Sequence, residues 1–397
     1  MPTILFFIAV ICSMISQTPE LIALKADNYL KITWLFPFLY LIIVRFRSVI
    51  SLKLAFFYFF VLIFGLYCSF MQLATNVNYV IAEDENTPDI INMGISLLVT
   101  VVSYAYWENY GSPRKLRWLV VCLVLCGVYL AYAVYSQFLV KSDIAAIEYA
   151  FTEKNSMGQI LVNVMVFGLA CYIPRYTPSK VAYIIAFIFM LTVVFMMKSR
   201  ATILGVFFVI GYYILMYKNT KVRIILFALA ACALAYLWVS PSAYDMIVNN
   251  ILFGGRDATD LDDLSSGRIY LMQQQMAKIP ENIIFGSGVD YMDCFPLMVI
   301  VQYGLVGAFI VYLFLIETGA KICLKFKPRK GINLSTFLLF WILIINSFFE
   351  AYPPFGPGIK CFILWMSFGF ALAQDKKPCR QIQTVATPSL PQNIDRK

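Results

Sequence analysis

Three places in the sequence set cations where a helix would begin. Lys154 stands before Asn155 and Ser156, Lys198 and Arg200 flank Ser199, and Arg268 follows Ser265–Ser266–Gly267. A helix start offers unbonded backbone N–H groups and the positive end of the helix dipole. A cation there is unfavourable by itself, but together with those amides it makes a site for an anion. Arginine adds a planar fork that grips two oxygens of a phosphate. These residues therefore point to phosphate or diphosphate binding, with stabilisation of negative charge as it develops. Each cation has a competing reading, which is snorkelling toward lipid headgroups or pairing with an acid. Arg256, in Gly254–Gly255–Arg256–Asp257, fits a ligand contact and an aspartate pair equally well.

The elements that must hold these residues are membrane helices. Of 397 residues, 61% are hydrophobic and 13% charged, and the mean hydropathy is +0.77. Soluble domains carry roughly 25% charged residues, so this chain has too little polar surface to coat a globule in water. Its apolar residues fall in runs of about 15 to 23, enough to cross a hydrocarbon core of about 30 Å. The runs are continuous rather than alternating, so helices and not a barrel satisfy the backbone. We expect an all-α, polytopic transmembrane helical bundle of about twelve spans. They lie near 3–18, 30–44, 54–74, 90–107, 116–140, 157–173, 181–197, 201–217, 222–240, 294–316, 333–349 and 359–373.

Charge sets the direction of those spans. Alternate loops carry Arg45, Arg47 and Lys53; Arg114, Lys115 and Arg117; Arg175 and Lys180; Lys218, Lys221 and Arg223; and Lys321, Lys325, Lys327, Arg329 and Lys330. The tail adds Lys376, Lys377 and Arg380, while the opposite loops are mainly acidic, with Glu83, Asp84, Glu85, Asp89, Asp143, Glu148, Glu153 and Asp257 to Asp263. The positive-inside rule puts the basic loops and both termini in the cytoplasm. It also accounts for most of the net charge of +9, which is no nucleic-acid signal. Lys154, Lys198, Arg200 and Arg268 then stand on the outer, wrong face. No charge sits near the middle of a span, where ion-coupled transporters generally need one. Asn163 and Asn346 are the main deep polar groups and read as helix–helix hydrogen bonds.

Residues 1–374 make one transmembrane domain, with a long extracytoplasmic loop at about 241–293 that is partly helical, and 375–397 make a disordered cytoplasmic tail. Within the loop, Tyr244–Leu252 and Ile269–Ile279 read as short helices. The second carries Ile269, Met272, Met276 and Ile279 on one face and stops at Pro280. The N-terminal run lacks a basic region before it and reads as a first span, not a cleaved signal. Ten cysteines imply no disulfide framework, since seven lie in apolar runs, Cys323 and Cys379 are cytoplasmic, and Cys294 is alone near the outer face. With no histidine, His-based zinc sites and His-dependent triads are impossible. No metal or other cofactor is expected.

Ser266–Gly267–Arg268, followed by Pro280 and Phe285–Gly286–Ser287–Gly288, resembles the loop-to-span region of the O-antigen ligase and Wzy-type polysaccharide polymerase superfamily. Lys198–Ser199–Arg200 and Glu153–Lys154–Asn155–Ser156–Met157–Gly158 are similar to it as well, so the resemblance covers roughly 150–310. It implies a multi-pass glycosyltransferase of the bacterial cytoplasmic (inner) membrane, acting at the outer face on undecaprenyl-diphosphate-linked oligosaccharide. A chain-length regulator and a flippase would be its partners. Ligases resemble a pattern of His and Asn, Ser or Gln placed before a Gly-x-x-Gly. Here Gly304–Leu305–Val306–Gly307 matches the end, and Asp293–Cys294 stand where His–Asn would. Without the imidazole, the chain reads closer to a polymerase than to a ligase. The glycines could equally serve helix packing.

On that reading Arg200, Arg268 and Asp293 are catalytic. The arginines stabilise the leaving diphosphate without a metal, and Asp293 accepts the proton of the acceptor hydroxyl. Asp290 and Glu350 stand behind Asp293, and each of these acids could equally balance a cation. Lys154, Lys198, Arg256, Tyr291 and Tyr303 would bind substrate. The tyrosines would do so by stacking on sugars, although an interfacial aromatic belt explains them as well. The alternatives are an O-antigen ligase and a lipid-linked oligosaccharide flippase or other transporter, which should line a central cavity with polar groups.

Overall fold

The computed structural model describes residues 1–24, 26–75, 89–136, 154–216, 220–252, 265, 267–288, 292–326, 328, 330–356 and 358–375. Among the described residues every regular element is helical. A helix stands at each expected span. These are α1 (Pro2–Ile15), α2 (Leu35–Val49), α3 (Leu52–Thr75), α4 (Asp89–Tyr110), α5 (Pro113–Val134), α6 (Lys154–Cys171), α7 (Thr177–Met196), α8 (Arg200–Met216), α9 (Thr220–Val239), α11 (Phe295–Ala320), α12 (Gly331–Ser347) and α13 (Ile359–Gln374), with α10 (Arg268–Lys278) in the long loop. Among the described residues six stretches qualify as membrane spans by length and composition, namely Ile32–Val49, Leu52–Thr75, Ile90–Tyr110, Pro113–Val134, Thr177–Met196 and Phe295–Lys325. Helices α1, α8, α12 and α13 are apolar but shorter; at 16 residues, α13 rises only about 24 Å. The protein is a helical membrane protein.

The loop follows its sequence closely where it is described. Pro241–Tyr244 and Asp245–Leu252 are helical, the latter in π form, and α10 gives way to a 3-10 turn at Ile279–Glu281 that contains Pro280. Met272 and Ile279 pack against the core, while Met276 is exposed. The expected tail beyond residue 375 lies outside the described residues, as do Arg256, Asp290 and Tyr291.

The centre of the bundle is α13, in which every residue from Ile359 to Ala373 is buried. A helix apolar around its whole circumference belongs at such a centre, and α13 packs against α4, α6 and α12. Trp365 anchors an aromatic cluster, stacked on Phe355 at 5.3 Å and tilted on Phe57 and Phe314. Its indole Nε1 donates to the Pro354 carbonyl at 2.8 Å. Asn163 makes the helix–helix bond expected of it, from Nδ2 to the Lys360 carbonyl at 2.7 Å. The Asn346 side chain has no partner among the described residues.

Helix α11 is broken at Gly304 (φ 61°, ψ −172°), a region of backbone space open essentially to glycine alone. A continuous helix would bond the carbonyls of Val301, Gln302 and Tyr303 to the amides of residues 305 to 307. Instead Ser287 N donates to Val301 O at 2.8 Å and Gly288 N to Gln302 O at 2.9 Å. Tyr67 Oη donates to Tyr303 O at 2.6 Å. The amides of Leu305 and Val306 turn to the carbonyls of Ile283 and Ile284. Residues 283–288 thus splice into the break, and the two glycine motifs of the sequence form one device. A Cβ on Gly304 would lie 2.3 Å from Ile284 O, and one on Gly286 would lie 2.3 Å from Gln302 O. Gly304→Ala is expected to destabilise the protein by at least about 2 kcal/mol. Gly211→Ala, which meets nothing within 4 Å, should leave the melting temperature in detergent unchanged or raised.

Candidate active site

A cavity of about 380 Å³ opens where four helices begin. Lys154 is the first residue of α6, Arg200 of α8 and Arg268 of α10, and Cys294 is the N-cap of α11. All four line the cavity, with Lys198, Asn155, Ser265 and Asp293. The structure thus gathers at one point five of the residues that the sequence singled out between positions 154 and 293.

Local structure explains how each is presented. Only Met197, Lys198 and Ser199 separate α7 from α8, and Lys198 takes a left-handed conformation (φ 50°) to make the reversal, uncommon for a residue with a side chain. Lys198 and Ser199 are 4% and 1% exposed. Ser199 Oγ donates to Asn155 Oδ1 at 2.8 Å and lies 2.8 Å from Thr202 Oγ1, tying the start of α8 to that of α6. Asn155 and Ser156 both lie within α6, and Asn155 serves Ser199. At α10, Ser265 Oγ accepts from Ile269 N at 3.1 Å.

Arg268 Nε donates to Asp293 Oδ2 at 2.9 Å, with the two side chains 30% and 26% exposed. A pair this accessible adds little stability. Its effect is directional, because the contact uses Nε and holds the guanidinium plane against the start of α11. The apolar part of the lining comprises Ile269, Met272, Met292, Phe348 and Phe349.

Other expected residues lie elsewhere. Tyr303 is only 2% exposed, with its ring edge-on to Phe64 at 5.0 Å; it belongs to the helix core and is not brought to the cavity. Glu350 lies behind the wall, paired with Lys360. The start of α11 was expected as the start of a span near 294, but not as a fourth helix start at this site, and the Phe348–Phe349 lining was not expected. Pro296 in the first turn of α11 marks a helix start in the sequence, whereas nothing local marks the phenylalanines. Among the described residues no cluster of three or more Cys, Asp or Glu side chains gathers.

Among the described residues the cavity lining carries Lys154, Lys198, Arg200 and Arg268 with Asp293, a set that with helix N-termini suits a compact, multiply charged anion. Inorganic diphosphate should bind the purified protein in nanodiscs by calorimetry, more weakly as salt rises. Arg200→Ala should raise its Kd about tenfold or more, a loss of about 1.4 kcal/mol. Tyr303→Phe should leave it unchanged.

Residues 185–304 match the protein family described as O-Antigen ligase. No curated protein matches the chain. The matched stretch runs from within α7 to the break in α11 and contains Lys198, Arg200, Arg268 and Asp293, while Lys154 and the Phe348–Phe349 wall fall outside it. The segment that supplies most of the charged cavity is therefore similar to the O-antigen ligase family.

Proposed function

We propose that the protein is a membrane glycosyltransferase that polymerises repeat units of a surface polysaccharide. It would act on undecaprenyl-diphosphate-linked glycans at the outer face of the bacterial cytoplasmic membrane, in a chain crossing about twelve times with both ends inside. The observation that carries this reading is the meeting of Lys154, Lys198, Arg200 and Arg268 with helix starts around one cavity. In the reaction, the bond between the sugar's anomeric carbon and the diphosphate oxygen breaks. A hydroxyl of the incoming lipid-linked repeat forms the new bond to that carbon. The electron pair leaves on the diphosphate, whose growing charge Arg200, Arg268 and the helix amides stabilise without a metal. The hydroxyl proton passes to Asp293. Because Asp293 bonds Arg268, base and leaving-group clamp move as one unit. The apolar wall of Met272, Phe348 and Phe349 suits the polyprenyl chain next to the diphosphate. Lys154 and Lys198 hold its distal oxygens.

The absence of histidine favours a polymerase, while the description of the matched family favours a ligase delivering finished glycan. A flippase needs a polar route through the bundle, and α13 fills the centre with buried side chains. In the native host Arg268→Ala, at normal membrane levels, should leave surface glycan limited to single repeats. Loss of surface glycan with lipid-linked polymer accumulating would identify a ligase. Single repeats trapped on the cytoplasmic side would identify a flippase, and unaltered chain lengths would remove Arg268 from the site.

A further inference from the structure

A second polar cluster lies directly behind the cavity wall. Glu350 and Lys360, 8% and 6% exposed, form an ion pair at 3.1 Å. Both reach α6, since Lys360 Nζ donates to Ser156 Oγ at 3.1 Å and Gln159 Nε2 donates to Glu350 Oε1 at 2.6 Å. The Glu350 carbonyl accepts from Phe295 N, the first residue of α11, at 3.0 Å. Three cavity-lining segments therefore end on this pair. Lys154–Asn155 lead into Ser156, Asp293–Cys294 into Phe295, and Phe348–Phe349 into Glu350.

We infer that Glu350 and Lys360 are positioning residues for the cavity. Neither lines it, so neither touches the substrate. The pair braces the first turn of α6 against the turn into α11, and so sets the spacing between Lys154 and the Asp293–Arg268 pair. Buried charges suit this task better than apolar contacts. A greasy surface can slide by a fraction of an ångström, whereas either charge moving off its partner is left uncompensated in a low dielectric. The inference rests on the reading of the cavity as an anion site.

The test is calorimetric titration of inorganic diphosphate into the protein in nanodiscs, beside its melting temperature. The double variant Glu350→Met/Lys360→Met removes both charges at similar volume and should melt near wild type. It should bind diphosphate about tenfold more weakly, the loss typical of groups that orient ligating side chains at metal sites. Ser156→Ala cuts only the link from Lys360 to α6, and should melt as wild type with affinity about threefold lower. Lys360→Arg keeps charge and donor, and should retain most of the affinity. Wild-type affinity in both the double variant and Ser156→Ala, with Arg268→Ala still impaired, would overturn the inference alone. Wild-type binding by Arg268→Ala would remove the anion site, and the inference with it. If the double variant does not fold, Ser156→Ala decides.

Discussion

In hydrocarbon a backbone amide or carbonyl must find its partner within the protein, because no water is there to take its place. That requirement fixes the architecture around Gly304. Once the glycine breaks α11, the carbonyls of Val301, Gln302 and Tyr303 and the amides of Leu305 and Val306 need partners. The chain's own 283–288 segment and Tyr67 supply them. The same segment turns Ile283, Ile284 and Phe285 outward, exposed by 45%, 53% and 48%, so its polar spine bonds inward while apolar side chains meet the surroundings. The segment is held through its backbone, and it anchors the C-terminal side of α10 to the bundle; α10 begins with Arg268. The unmet backbone groups of α11 thereby help to place a guanidinium from the long loop.

The cavity shows a second tension resolved in the same place. Helix starts repel cations, typically by about 0.3–1 kcal/mol each at an exposed surface. Gathering four of them where four helices begin is unfavourable unless something negative comes too. Asp293 answers part of that charge through Arg268. On the proposed reading, a diphosphate would offer several oxygens to the donors spaced around the cavity. Lys198 makes the case most sharply. It is held in a left-handed turn at 4% exposure, where simple snorkelling to headgroups does not describe it.

The cations were legible in the sequence because loop charge gives an expected orientation, and a residue expected on the wrong face then stands out. Arg200 and Arg268 could be placed at helix starts from Ser199 and from Ser265–Gly267, since capping chemistry is local. Tyr303 shows where such reading stops. An aromatic near an expected membrane surface looks the same in sequence whether it faces sugar, lipid or core, and packing against Phe64 decided it. Phe348 and Phe349 were invisible for the complementary reason, because the only thing that makes them part of a site is the tertiary approach of the α12–α13 connection. The glycine motifs were seen singly and understood only as a pair, since the splice joins residues such as Ser287 and Val301 or Ile283 and Leu305, too far apart in sequence for any local pattern to link.

Lys360 is the instructive residue. In the sequence it is a single charge at the start of the last expected span, near 359–373, where a charge is unfavourable in hydrocarbon. In the fold it lies at the start of the most enclosed helix, bonded to Glu350, Ser156 and, through its carbonyl, Asn163. For stability alone a well-packed apolar pair would serve as well or better, because desolvating two charges offsets most of their attraction. The bundle centre is otherwise filled with apolar and aromatic side chains, so apolar packing was available a turn away at Phe362 and Ile363. The pair sits instead at the one level where α6, α11 and the α12–α13 connection all turn toward the cavity. Its place is explained by geometry rather than by stability: charges that cannot slide hold together three chain segments whose ends carry the groups that meet the anion.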